Sequence, residues 1–333
     1  NNDIEAIKLL GKIYAEGLGV EKDLKKSVEY FELAATQGDA IAEALVGRAY
    51  EKGLGVEIDY RSAAKWYESA AEKGDANGQF GLGGLYYRGL GTVQNFTEAL
   101  RYYHQAASTG NPDAHYMIAV MFEKGQGVAK NLQKAEDWYG KAANLDMPEA
   151  AFHLAKRILN GDGLIQNSER ASYWFLRAAK SGHVPSQTAI AMIYSNQETL
   201  PYDEAEATKW HVEAAKNGIA TSQLEAGLRY QKGLGTEQDL SESAKYFKLA
   251  ALNNIVLAQY LLGEQLLSGT GVEKNEADAA GYIIRAANAG NAEAQLASAN
   301  LYQYGIGVTK DLSIAADYLN LAIAQKKAPA FFK

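Results

Sequence analysis

Hydrophobic and polar positions repeat along the chain with a step of 36 residues, and each period predicts two amphipathic helices. In the second period, Val46 and Tyr50 are four residues apart and therefore share one face of a first helix. Ala63, Trp66 and Ala70 are spaced by three and four residues, as on the buried face of a second helix. The pattern predicts a helix–turn–helix unit that recurs along the chain.

Helix-ending and helix-starting residues recur in the same register. A Gly-x-Gly pair follows the first helix, and glycine readily adopts the left-handed conformation that ends a helix. An acid or its amide then stands where the second helix needs an N-cap. The pairs begin at Gly17, Gly53, Gly89, Gly125, Gly161, Gly233, Gly269 and Gly305. The capping positions are Asp23, Asp59, Asn95, Asn131, Asn167, Asp203, Asp239, Asn275 and Asp311.

The sixth unit lacks the glycine pair but keeps the register. Its loop reads Gln197-Glu198-Thr199, and Pro201 follows. The altered loop has two equally good explanations. It forms a surface specific to a partner, or it results from neutral drift. In every unit, the sixth included, an Ala-Ala pair follows an aromatic residue by four positions, except that the ninth unit has Ala322-Ile323. We expect these aromatic and alanine positions to form the core between helices.

These positions divide the chain into nine consecutive units within a single domain, residues 1–333. The units lie near 1–36, 37–72, 73–108, 109–144, 145–180, 181–216, 217–252, 253–288 and 289–324. Residues 325–333 contain Pro329 where a further first helix would begin, because proline is tolerated in the first turn. We therefore predict an all-α solenoid of about nine 36-residue helix–turn–helix repeats.

One unit, with Leu10-Gly11, Tyr14, Gly17, Gly19-Val20, Asp23, Tyr30 and Ala34-Ala35, resembles a Sel1-like repeat. The resemblance covers essentially the whole chain. It implies a right-handed α/α superhelix, related to tetratricopeptide repeats, whose first helices line a concave groove. It also implies an adaptor or scaffold role. Many bacterial members are exported and act in host interaction, envelope assembly or signalling, so an exported bacterial protein, periplasmic or secreted, is favoured over a cytoplasmic one.

Composition narrows the partners that we expect. The 333 residues carry a net charge of -7 with acids and bases interspersed, which does not favour nucleic acid. No apolar run approaches the roughly 20 residues of a membrane helix, so we expect no membrane insertion. No cysteine is present, which excludes disulfides and thiolate chemistry. The chain begins at Asn1 without methionine, so we expect a fragment or a processed form, and the compartment stays open.

Helical geometry selects a candidate binding surface on the first helices, pointing away from the core between repeats. It would form a groove for a protein or peptide partner, with mixed charge and a few aromatic anchors. A solvated helix face is the simpler interpretation for each residue, and Arg48, Tyr87 and Arg88 are the strongest candidates. The selected residues are Arg48, Glu51, Lys52, Asn77, Tyr87, Arg88, Asp113, Glu123, Lys124, Lys156, Asn160 and Met192.

Catalytic and metal motifs are weak in this sequence. Ser62-Ala63-Ala64-Lys65 matches a Ser-x-x-Lys pattern, but no Lys-Thr-Gly or Ser-Asp-Asn triplet accompanies it. The histidines form no His-Glu-x-x-His or other close metal pair. We therefore expect a non-enzymatic scaffold that is a monomer and needs no cofactor or metal. The alternatives are a hydrolase or carbohydrate-acting envelope enzyme with its site in the groove, and a self-assembling structural element.

Overall fold

The protein is described by a computed structural model that covers residues 3–162, 165–198 and 201–327. These residues form eighteen α-helices and no strand. The helices are α1 (Ile4–Glu16), α2 (Leu24–Ala35), α3 (Ala40–Lys52), α4 (Tyr60–Glu72), α5 (Ala76–Arg88), α6 (Phe96–Ser108), α7 (Pro112–Lys124), α8 (Leu132–Asn144), α9 (Pro148–Asn160), α10 (Ser168–Lys180), α11 (Val184–Ser195), α12 (Glu204–Lys216), α13 (Ala220–Lys232), α14 (Leu240–Leu252), α15 (Val256–Ser268), α16 (Glu276–Asn288), α17 (Ala292–Tyr304) and α18 (Leu312–Lys327).

Odd-numbered helices are the first helices of the repeats and are called A helices below; even-numbered helices are called B helices. Each A helix packs against the B helix that follows it. The helices fall into two compact units, α1–α10 within Asn1–Ser181 and α11–α18 within Gly182–Lys333. The predicted all-α solenoid of nine helix–turn–helix repeats is confirmed. The predicted further helix at Pro329 lies outside the described residues, as do Gly163 and Thr199 of the loop motifs.

The predicted N-caps are confirmed in every B helix. In α4, the Asp59 carboxylate accepts hydrogen bonds from the amides of Arg61 and Ser62 at 3.0 and 3.2 Å. These amides lie in the first turn, where the helix itself offers no acceptor. The other eight capping positions accept bonds in the same way. The start of each B helix is therefore set by one acid or amide.

The two glycines of each Gly-x-Gly pair have different roles. Gly53 ends α3 in the left-handed conformation, with φ of 68°. Gly55 allows a close approach to the preceding repeat: a β-carbon there would lie 2.3 Å from the Leu24 carbonyl oxygen at the start of α2. The same approach, to the first residue of the preceding B helix, recurs at Gly91, Gly127, Gly235, Gly271 and Gly307. The second glycine therefore joins neighbouring repeats.

Alanines and aromatic rings fill the space between helices, as predicted. Ala34, Ala70 and Ala106 are fully buried, and so are their counterparts in later repeats. In four repeats the recurring tyrosine of the A helix stacks on the aromatic residue of the B helix, with ring centroids 5.8 Å apart for Tyr86 and Tyr102. Small residues at the helix contacts let the backbones approach, and the stacked rings close these four hairpins.

We predict that Gly55→Ala destabilises the protein far more than Gly74→Ala. Both glycines have positive φ, so each substitution carries the cost of a left-handed alanine, about 1–2 kcal/mol. At Gly74 the new β-carbon meets no atom within 4 Å, whereas at Gly55 it meets backbone. Displacement of the loop should raise the total loss at Gly55 to about 3 kcal/mol or more. Urea unfolding of both variants measures the difference, and equal losses would contradict the proposed joining role.

Candidate functional site

A stripe of three side chains on α3 separates two grooves in the first unit. Ile41, Leu45 and Arg48 follow one another at spacings of four and three, so they lie on one face of the helix. All three line both grooves. The groove toward α1 is called the first groove, and the groove toward α5 is called the second groove. Together they form one continuous surface across α3.

The first groove is mainly apolar and has a cavity volume of about 610 Å³. Leu9 of α1 is 58% exposed and Ile41 is 52% exposed, and both belong to the same contiguous apolar surface. The remaining apolar lining comes from α1, α2, α3 and the loop after α3: Ala15, Leu24, Val28, Phe31, Leu45, Ala49 and Leu54. Such a concave apolar surface can bury apolar side chains of another molecule.

The second groove is more polar and has a cavity volume of about 410 Å³. Its floor is the ring of Tyr67, which α4 inserts between Gly47 of α3 and Gly81 of α5. A β-carbon at Gly47 would lie 2.7 Å from that ring, and one at Gly81 would lie 2.5 Å from it. Two glycines therefore make room for one aromatic side chain, and α3 and α5 contact each other directly.

Glu51 lies buried beside this floor, so its predicted position on the exposed face is wrong. Its carboxylate accepts a hydrogen bond from the Tyr67 hydroxyl at 2.7 Å and another from Arg88 Nη2 at 2.7 Å. Lys52 Nζ lies 3.1 Å away. Burial alone would raise the pKa of Glu51, but the bonds from Arg88 and Tyr67 outweigh it and hold that pKa below its usual value. The buried charge is thus fully compensated.

Glu51 is buried because it faces Tyr67, on the B helix of its own repeat. Glu123 occupies the same repeat position, and it accepts a hydrogen bond from the Tyr139 hydroxyl at 2.7 Å. In the fifth repeat the corresponding residues are Leu159 and Phe175, an apolar pair. A buried hydroxyl needs an acceptor and a phenyl ring does not, which explains the exchange. The third repeat has Tyr87 and Tyr103 at these two positions, so the sequence does not pair every such tyrosine with an acid.

The second groove brings together six of the predicted binding residues, one of which is the buried Glu51. Arg48, Lys52 and Arg88 supply cations, and Asn77 and Asp113 lie toward the starts of their helices. Tyr87 is not among the lining residues. Its ring packs edge-on against Phe96, and its hydroxyl donates to Gln126 Oε1 at 2.8 Å. Tyr87 therefore supports the loop of the next repeat and does not face the groove.

The other predicted residues do not line these grooves. Glu123 is engaged internally, by the Tyr139 hydroxyl and by Arg157, whose Nη1 lies 2.9 Å from its carboxylate. Lys124, Lys156 and Asn160 are exposed on α7 and α9. Met192 is 58% exposed on α11, in the second compact unit. Their assignment to a groove stays a prediction.

The side chains that resemble catalytic groups have structural partners. The Ser62 hydroxyl of the Ser-x-x-Lys pattern donates to the Asp59 carboxylate at 2.6 Å, which completes the cap of α4. In the second unit, Ser195 Oγ lies 3.4 Å from His211 Nε2, but it donates to the Ala191 carbonyl at 2.7 Å. No group of three or more potential metal ligands occurs in the part of the chain that the structure describes.

Arg229 holds both ends of the altered loop in the sixth repeat. Its guanidinium donates to Ser195 Oγ at the end of α11 at 2.7 Å and to the Glu204 carboxylate at the start of α12 at 2.5 Å. Arg229 lies on α13, so the seventh repeat supplies this support. His211 is buried beside it, and burial together with the charge of Arg229 lowers the pKa of His211 to about 4. The neutral form of His211 is therefore favoured near neutral pH.

Known proteins with the same helical repeats match this chain in sequence and in fold. The Sel1 repeat family model matches the chain nine times without a gap, at residues 4–39, 40–75, 76–111, 112–147, 148–183, 184–219, 220–255, 256–291 and 292–327. A protective antigen of uropathogenic Escherichia coli with an SLR fold is 30% identical; 98% of this chain and 73% of that one align, with a TM-score of 0.62. A Sel1 repeat protein from Oxalobacter formigenes is 30% identical over 65% of this chain and 89% of that one, with a TM-score of 0.59. No curated protein is matched by sequence.

We predict that Tyr67→Phe lowers the free energy of unfolding by about 2 kcal/mol, because buried Glu51 loses a donor. The ring itself still fits, since Phe31, Phe175 and Phe247 occupy the same repeat position. Adding Glu51→Leu should recover most of the loss, because it reproduces an apolar pair like that of the fifth repeat. Urea unfolding of both single variants and the double variant tests this coupling. Additive losses would contradict it.

We predict that His211 makes the protein less stable in mild acid. Its pKa is about 4 when folded against an ordinary 6.5, so protonation favours the unfolded chain. This stability is present above pH 6.5 and is lost as the pH falls toward 4, by about 3 kcal/mol in all. His211→Phe should remove that dependence, since Phe247 occupies the same position in the next repeat. Urea midpoints from pH 7.5 to 4.5 provide the measurement, and parallel curves for both proteins would refute it.

Proposed function

Because the chain belongs to the Sel1 repeat family, we propose that it is a non-enzymatic scaffold that holds a segment of a partner protein against α1, α3 and α5. The observation that carries this proposal is the continuous pair of grooves on either side of the α3 stripe. Exposed apolar side chains in a concave surface are typical of sites that receive side chains of another protein.

The contacts of the hydroxyl groups support binding over hydrolysis. A serine nucleophile must direct its proton to a base, and that base must be oriented by a third group. Ser62 instead donates to a capping carboxylate, and Ser195 donates to a backbone carbonyl. His211 Nδ1 is buried without a hydrogen-bond partner, so no carboxylate orients this imidazole. A groove-based hydrolase or carbohydrate-acting enzyme is the alternative that this proposal competes with.

We also propose that the protein is an exported bacterial protein and that it acts as a monomer. The relative from uropathogenic Escherichia coli is described as a protective antigen, which supports a location where antibodies reach it. None of the described helices is long and apolar enough to cross a membrane.

We predict that a random twelve-residue peptide library displayed on phage yields binders that depend on Ile41. Ile41→Asp should abolish their capture, because a carboxylate then stands at the centre of the apolar stripe. The equivalent position of the fourth repeat is Asp113, so the helix accepts this residue. Capture of the enriched peptides by each variant is measured by biolayer interferometry.

Ile58→Asp is the matched control for this experiment. Ile58 is 57% exposed, close to the 52% of Ile41, but it lies in the loop before α4 and lines neither groove. The control should capture the peptides as the unchanged protein does. Failure to enrich any peptide, or equal capture by both aspartate variants, would reject the groove as the binding site. Cleavage of the captured peptides would favour the hydrolase.

A further inference from the structure

We propose that the partner segment is an acidic peptide that places a carboxylate on Arg48 and apolar side chains in the first groove. This inference rests on the proposed function and deepens it. Arg48 is exposed and lines both grooves, so a peptide lying across α3 must pass its guanidinium. The same peptide would meet Ile41 and Leu45 on the same helix face.

Arg48 differs from the other cations of this surface. Lys8 pairs with Glu5 and Asp39, Lys12 with Glu16, and both Lys52 and Arg88 with Glu51. Among the groove-lining side chains that the structure describes, Arg48 is the one cation without an acid within ion-pair distance. Its charge is therefore available to a partner. A guanidinium suits a carboxylate because its donors form a planar fork.

Helix stability does not explain this arginine. Lys52 and Arg88 lie in the last turns of α3 and α5, where cations favour the negative end of the helix dipole. Arg48 lies a full turn earlier, so it gains little from the dipole. The whole chain also carries a net charge of -7. An unpaired cation in the groove of an acidic protein is thus best explained by an acidic ligand.

The spacing of the stripe limits how far the acid can lie from the apolar anchors. A helix rises about 1.5 Å per residue, so Ile41 and Arg48 are about 10 Å apart along α3. An extended peptide covers that distance in about three residues. The segment should therefore carry an aspartate or glutamate within about three residues of a large apolar side chain. A basic segment would meet Arg48 with the same sign of charge, and a second copy of the chain is an outcome that the experiment detects.

The test uses the peptides enriched on the unchanged protein and a double-mutant cycle. The best peptide and its Asp→Asn or Glu→Gln version are titrated by calorimetry into the unchanged protein, Arg48→Gln and Arg61→Gln. Arg61 is exposed on α4 and lines neither groove, so it is the matched control. We expect Arg48→Gln alone, or the acid-to-amide change in the peptide alone, to weaken binding about five- to tenfold. The two changes together should weaken it no further than one of them does. Arg61→Gln should leave the affinity unchanged.

Each other outcome overturns the inference in a distinct way. Enriched peptides without acids, or additive losses in the cycle, would reject the acidic ligand, while continued dependence on Ile41 would leave the proposed function intact. Peptides that ignore both Ile41 and Arg48 would reject the groove itself. A mass in sedimentation that rises with concentration, and that Ile41→Asp returns to the monomer, would show that a second copy fills the groove instead.

Discussion

The structure depends on one close backbone contact between neighbouring repeats. In six loops the second glycine lies against the first carbonyl of the preceding B helix, as Gly55 does at Leu24. A side chain there would force the repeats apart, so the loop length and the stacking distance are set together. Where the glycine is present, this contact favours the constant step of 36 residues. In the sixth repeat the glycines are absent, and Arg229 instead holds the two ends of the loop.

Close stacking also creates buried polar pairs, and these pairs shape the groove. Tyr67 fits between two glycines, and its hydroxyl then requires the Glu51 carboxylate inside the protein. Glu51 in turn engages Arg88 and Lys52. Removing one partner would leave an uncompensated buried group. Lys52 and Arg88, at the edge of the second groove, are thus paired with Glu51, whereas Arg48 has no ion-pair partner among the described residues. The packing of Tyr67 therefore affects which cation can contact a ligand.

Features set within one helix or one loop were predictable from the sequence. Asp59 as a cap and Gly53 as a helix end depend only on local backbone geometry. The contacts of Glu51 and Tyr87 could not be predicted from their own helices. Each residue lies at the border between two faces of an A helix, and a residue on another element decides which way its side chain lies. The apolar lining of the first groove was not predictable, since it combines Leu9, Phe31 and Leu45 from three helices.

We propose that the surface across α3 holds a segment of another protein. The most direct measurement is a crystal structure of the chain bound to a peptide that it selects. We expect electron density for the peptide between α1 and α5, with apolar side chains beside Ile41 and Leu45 and a carboxylate at Arg48. A peptide bound along the B helices, or bound without contact to the α3 stripe, would contradict it.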